Sequence, residues 1–306
     1  MTRRPTLAVL AASAIALQAG VPAAGQSPSP ADPPDRSNPA PPPNAAPTVN
    51  LLGLEADPLE EAIVTDRPDF TESALAVPRG HAQLEGGYTF TYDSGDGVRR
   101  SEHVYPEFLL RVGLVREWEL RVAWDGWIHG EEVFREANDA GRRVVVTDRA
   151  DGAGDMSLGV KRHLWDQDGL RPDFGLIVEA DLPTGGRDQT SGDVDPGMKL
   201  LWGYDLTDSL GLAGNVNCAV PTSGNERFFQ VSASISLAVS LTDRLGFYTE
   251  YFGFYPADFD NSDAHVANGG FTYLITDNLQ LDVRAGVGLN DEADDFFAGA
   301  GFAVRF

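Results

Sequence analysis

Phe296-Phe297-Ala298-Gly299-Ala300-Gly301-Phe302-Ala303-Val304-Arg305-Phe306 is the stretch whose reading decides the fold. At a period of two, Phe296, Ala298, Ala300, Phe302, Val304 and Phe306 share one face of a strand. Phe297, Gly299, Gly301, Ala303 and Arg305 share the other. The first face is apolar throughout, while the second is small or charged. A strand of a membrane barrel has this form, with lipid on one side and a polar interior on the other. An aromatic residue closing the last strand is also what the β-barrel assembly machinery of the bacterial outer membrane reads. Phe302, Val304 and Phe306 are therefore the expected assembly signal.

Working back from this strand, the pattern predicts twelve strands near 81–92, 103–114, 118–129, 154–165, 172–183, 194–206, 209–221, 227–241, 244–256, 265–275, 279–290 and 296–306. Most are close to the roughly 9–11 residues that a tilted strand needs to cross a bilayer. From Phe229 to Leu241 every second residue is apolar, and Gln230, Ser232, Ser234, Ser236 and Ser240 lie between them. Long connections near 93–102, 130–153, 184–193, 222–226, 257–264 and 291–295 alternate with short ones near 115–117, 166–171, 207–208, 242–243 and 276–278. Three of the short ones repeat a Thr-Asp pair, at Thr207-Asp208, Thr242-Asp243 and Thr276-Asp277, which suits a tight turn. A soluble sandwich shares the strand alternation but has no reason to alternate its loops. The fold class is all-β, an antiparallel up-and-down transmembrane β-barrel of about twelve strands.

The amino terminus agrees. Arg3 and Arg4 precede an apolar run from Leu7 to Ala19 and a small-residue site at Ala23-Ala24-Gly25, the order of a secretory signal peptide. Residues 1–25 are therefore expected to be the signal peptide. Residues 26–63 read as a Pro- and Ala-rich disordered periplasmic linker. Within it, Leu51-Leu52-Gly53-Leu54 could form a helical turn or two. A pre-barrel segment follows at 64–80 and the barrel occupies 81–306. The formal charge of −23 disfavours nucleic acid, whose phosphates need Lys and Arg. Cys218 is the single cysteine, so no internal disulfide forms.

If the apolar residues face lipid, the alternate ones face a lumen. That set comprises Glu85, Glu107, Arg111, Glu119, Arg121, Asp125, Lys161, Glu179, Asp181, Lys199, Glu250, Asp282, Arg284 and Arg305. Such charges either pair across neighbouring strands and brace the wall or select solutes as rings of charge. The five histidines, His81, His103, His129, His163 and His265, show no ligand spacing, so neither a metal nor another cofactor is expected. Asp258-Phe259-Asp260-Asn261-Ser262-Asp263 lacks the Gly and distal Glu of a calcium loop. No Gly-x-Ser-x-Gly marks a hydrolase nucleophile, so no catalytic residue is assigned.

Val64-Thr65-Asp66-Arg67-Pro68-Asp69-Phe70-Thr71-Glu72-Ser73-Ala74, followed by Val77-Pro78-Arg79-Gly80-His81-Ala82-Gln83-Leu84-Glu85-Gly86-Gly87-Tyr88, resembles the start of the family named for a MetA pathway of phenol degradation. The resemblance runs to Phe306 and is most specific over Thr65–Glu72. It implies an outer-membrane barrel that passes small or aromatic compounds, and it carries over no catalytic residue. Asp66, Arg67, Asp69 and Glu72 could fold back as a plug or cap the barrel mouth, and both readings stay open at this point. The expected function is a channel for passive passage of small solutes, aromatic or hydrophobic compounds among them. Its partners would be outer-membrane lipids, the assembly machinery and the solute. A non-conducting structural or adhesive envelope barrel and an outer-membrane lipid hydrolase are the alternatives.

Overall fold

The computed structural model describes residues 49–50, 55–137, 142–224, 226–257 and 262–306. The signal-peptide reading, most of the linker and the Leu51–Leu54 patch lie outside the described residues, as do positions 258–261 of the acidic loop.

Twelve strands form the wall among the described residues. They are β1 Ala82–Gly95, β2 Val98–Val115, β3 Trp118–Trp124 continued as Trp127–Ala137, and β4 Arg143–Ala153 continued as Met156–Trp165. There follow β5 Asp173–Leu182, β6 Asp195–Thr207, β7 Leu210–Ala219, β8 Gln230–Ser240, β9 Leu245–Pro256, β10 Ala264–Thr276, β11 Leu279–Gly288 and β12 Phe296–Arg305. A two-residue ribbon, Thr222–Ser223 with Glu226–Arg227, lies in the β7–β8 connection. All pairings in the wall are antiparallel, and β1 pairs with both β2 and β12. The sheet is thereby closed, with Gln83 opposite Arg305 and Tyr92 opposite Phe296. Closure leaves no edge along the part of the wall that crosses the bilayer, a requirement where lipid offers no hydrogen bonds; the Arg143–Ala153 extension of β4 pairs on one side, with Trp127–Ala137.

Two of the expected long loops are strand instead. Positions 93–102 contain only a tight turn at Asp96-Gly97, where both residues have positive φ. Positions 130–137 extend β3 and positions 143–153 belong to β4, and the two pair with Trp127 opposite Ala153 and Ala137 opposite Arg143. Charge hid this ribbon: Glu131, Glu132, Arg135 and Glu136 interrupt the apolar alternation because both faces of the ribbon are polar. The breaks within β3 and β4 also misled, and they have a steric cause. Pro106 has no N–H to give the ladder, and a Cβ at Gly126 would stand 2.7 Å from the Pro106 carbonyl oxygen. Two bonds bridge the gap, Asp125 N–H to Asp155 O at 3.0 Å and Gly154 N–H to Gly126 O at 2.7 Å.

The alternation sorts side chains as the sequence pattern requires. In β11, Leu281, Val283 and Val287 are exposed on the outer surface, while Gln280, Asp282 and Arg284 are buried inside. In β8, Ile235 faces outward and Ser232, Ser234 and Ser236 face inward. Trp118, Trp165, Tyr273 and Phe306 are exposed near the short-turn end, and Tyr88, Tyr105, Trp127 and Tyr251 toward the other. Such aromatic belts flank the apolar band of an outer-membrane barrel. No described helix is long and apolar enough to cross a membrane, and the crossing is made by strands.

Val283 is 51% exposed at the middle of β11. Val283→Arg should destabilise the barrel by about 2–4 kcal/mol, read from urea-dependent folding into lipid vesicles. A negligible change would place this face away from hydrocarbon.

Candidate functional site

The segment before β1 enters the barrel. Its two ends sit at the short-turn end: Ile63 N–H donates to Asp277 O at 2.7 Å, and Gly80 N–H donates to Gly113 O at 2.9 Å. Between them the chain runs into the lumen and back as a hairpin, and Thr65, Asp66, Asp69, Thr71 and Glu72 are each at most 1% exposed. Asp66 ties the two legs together, its Oδ1 accepting from Ser73 N–H at 3.2 Å. At the tip, Phe70 stacks on Phe252 with ring centroids 4.6 Å apart, in a cluster with Val266, Ala293 and Phe297.

A hairpin inside a closed wall must satisfy its backbone groups there, and the inward-facing side chains do so. Asp66 N–H donates to both Glu85 oxygens at 3.0 Å each. Phe70 and Thr71 N–H donate to the two oxygens of Glu250 at 2.8 and 2.7 Å. Val77 N–H donates to Glu119 at 2.9 Å. Carbonyls are met in the same way: Val64 and Leu75 by Arg111, Pro68 by Arg284, and Glu61 by Arg305.

The charged side chains of the hairpin form a second set of bonds. The Asp66 carboxylate meets Lys161 Nζ at 2.8 and 3.0 Å, Arg111 at 3.4 Å, and Arg121. Burial would raise its pKa, but Arg111, Lys161 and Arg121 outweigh burial and hold it well below the ordinary carboxylate range. Arg67 reaches Glu107 at 2.8 Å and Asp282 at 3.6 Å. It lies against Gly87 and Gly301, where an added Cβ would overlap its guanidinium. Gly113 and Gly175 likewise leave room for the Val77 and Pro78 carbonyls and for Ala74. Glu72 meets Lys199 at 2.8 Å and Arg121 at 3.4 Å. Asp69 accepts from Ser236 at 2.8 Å, and burial, then the charge of Glu250, pushes its pKa well up.

Of the lumen set, Glu85, Glu107, Arg111, Glu119, Arg121, Lys161, Lys199, Glu250, Asp282 and Arg284 all touch the hairpin, and Arg305 holds the Glu61 carbonyl just before it. Glu179 is tied in through Lys199 at 2.7 Å. Asp181 is exposed toward the long-loop end, and Asp125 stands at the break in β3. Some charges also brace neighbouring strands: Arg111 meets Glu119 at 2.8 Å and Glu85 at 3.0 Å. The polar residues Gln83, Ser234 and Gln280, which bond Val64 O, Thr71 and Thr65, were not picked out by charge, although their place on the inward face was available to find them.

A cavity of about 200 Å³ lies beside the entering leg at Glu60–Val64, against β8–β10 and the short turns. Ile63, Ala238, Leu245, Phe247 and Leu274 give it apolar walls, and Tyr248 and Gln280 also line it. The Tyr248 hydroxyl and Gln280 Oε1 are buried without a hydrogen-bond partner.

Two substitutions should act in opposite directions on the hairpin. Asp66→Asn leaves Lys161 and two arginines undercompensated, at a cost of about 3–5 kcal/mol, and should speed amide exchange over 64–76 by about two orders of magnitude or more. Because its pKa is depressed, the contribution of Asp66 is complete above pH about 4 and declines only in stronger acid. Asp69 has the reverse sign. A raised pKa means a proton is taken up on docking, so docking weakens as pH climbs above about 4. Asp69→Asn should therefore slow exchange at neutral pH and make no difference near pH 4. Equal exchange in wild type and Asp69→Asn at neutral pH would contradict this.

An outer membrane channel from Pseudomonas putida F1 has a similar structure, with a TM-score of 0.53 at 13% identity, covering 76% of this chain and 98% of that one. The NanC porin is more distant, with a TM-score of 0.46 at 10% identity over 74% of this chain and all of its own. No curated protein matches in sequence. The family model described as "Putative MetA-pathway of phenol degradation" matches residues 65–306, from the hairpin through the closing strand. The chain belongs to that family.

Proposed function

We propose that this protein is an outer-membrane channel for passive passage of small solutes, and that the 64–80 hairpin is its plug. In this reading residues 1–25 are the signal peptide, 26–63 the periplasmic linker and 81–306 the conducting barrel. The supporting observation is the chemistry of the hairpin–wall contact. Apart from the Phe70 cluster and the packing of Ala74 on Ile177 and Leu201, the hairpin is held by polar bonds. Water or a polar solute can replace such bonds one for one, whereas a continuous apolar core could not be opened without a large cost. The charged wall then serves the hairpin when closed and the solute when open.

The cavity beside the entering leg favours aromatic or hydrophobic solutes carrying a polar group. Its walls are largely apolar, and Tyr248 and Gln280 bring polar groups that lack partners. A lipid hydrolase finds less support: among the described residues, the five histidines bond to Asp57 O, Tyr88, Asp151, Asp166 and Tyr251 rather than to a serine hydroxyl. Outer-membrane lipids and the assembly machinery are the other partners in this proposal.

Conductance in planar bilayers separates the readings. Wild type should show small, intermittent events, and deletion of 64–76 should give large, steady ones. Two well-inserted, silent barrels would favour a purely structural role. Equal conductance in both would retain the channel and remove the plug.

A further inference from the structure

At the short-turn end, β4 and β5 bring together three groups that lie outside the charged lumen set. His163 is the last inward residue of β4 and is 8% exposed. Asp166 lies in the turn, and Asp173 opens β5. One ring nitrogen and one oxygen from each carboxylate lie within 4.8 Å of one another.

The ring's other contact decides what this cluster can hold. His163 Nδ1 is 3.2 Å from the carbonyl oxygen of Ala74 in the hairpin. A carbonyl only accepts, so Nδ1 carries a proton and Nε2 is the ring atom open to a metal ion. Nε2 lies 3.0 Å from Asp166 Oδ1, with the Asp173 carboxylate beside it. A positive species belongs between them. A second ring proton would serve one contact, whereas three converging donors suit a cation.

The geometry points to a divalent transition-metal site formed by His163, Asp166 and Asp173. One imidazole and two carboxylates suit zinc or a similar ion, with bonds of about 2.0–2.2 Å and a remaining position for water. Ligands around such an ion stand about 3.4 Å apart on those bond lengths. The exposed side chain of Asp166 is the one free to close the remaining gap. The outer contacts have the form that orients metal ligands. Nδ1–H donates to a backbone carbonyl, and Asp173 Oδ1 accepts from Gln167 N–H at 2.9 Å.

The site also reaches the hairpin. A bound metal would lock the ring that holds Ala74, whose carbonyl can approach because Gly175 has no Cβ. Metal at this end would therefore favour the plugged state. That consequence rests on the gated-channel reading; the metal site does not.

The test is titration of the chelator-stripped, full-length barrel in detergent with Zn²⁺ and Cu²⁺. Wild type should bind one equivalent of Zn²⁺ more than Asp173→Asn, at an affinity reduced at least tenfold in His163→Gln. Its Cu²⁺ spectrum should carry a single-nitrogen splitting that is lost in His163→Gln. Heat-modifiable gel mobility verifies that the variants are folded. Identical stoichiometry and spectra in wild type and Asp173→Asn would overturn the site and leave His163 a simple imidazolium partner of Asp166. Zn²⁺ on the short-turn side should lower the conductance of wild type and not of Asp173→Asn. Binding without any change in conductance or in amide exchange over 73–77 would overturn the coupling.

Discussion

Three cations, Arg111, Arg121 and Lys161, project inward from the adjacent strands β2, β3 and β4, and the wall alone does not balance them. Glu85 and Glu119 supply two anionic charges, and Asp66 from the hairpin supplies the third. Uncompensated charge in a water-poor interior is expensive, so the hairpin's depth and register follow from bringing this carboxylate to that place. Arg67 and Glu72 are then carried to Glu107 and Lys199 on opposite sides.

The rest of the interior is arranged around that anchor. Glycines at Gly87 and Gly301 keep the wall open for Arg67, and Gly113 and Gly175 do the same for the returning leg. Carboxylates of Glu85, Glu119 and Glu250 accept backbone N–H groups that would otherwise be orphaned. Apolar contacts are confined to the tip, where Phe70 meets Phe252, and to Ala74 against Ile177 and Leu201. The wall and the segment are thus complementary by charge, hydrogen bonding and volume. Asp69 is the discordant member. It sits near Glu250 with its pKa raised, so the contact holds a repulsive element beside the bonds that Glu250 makes to Phe70 and Thr71.

Much of this was legible in one dimension. The strict period of two in β8, β11 and β12 separates lipid face from lumen face, and charge cannot face hydrocarbon cheaply. The lumen residues followed from that rule alone. Where both faces are polar, as in the ribbon extending β3 and β4, the same rule was silent and strand was read as loop. His163 was equally hidden, since its partners stand three and ten residues away across a turn and the spacing matches no ligand pattern.

The sequence by itself determined the barrel: strand number, the lipid-facing set and the charged interior are all properties of alternation and of the penalty for charge in lipid. Only the tertiary structure decided where residues 64–80 go. Asp66 meets Arg111, Arg121 and Lys161 across separations of 45 to 95 residues, and Thr71 meets Glu250 across 179. Alternation records which face a side chain occupies but not which distant charge will lie opposite it, because that partnership exists only after the sheet has closed.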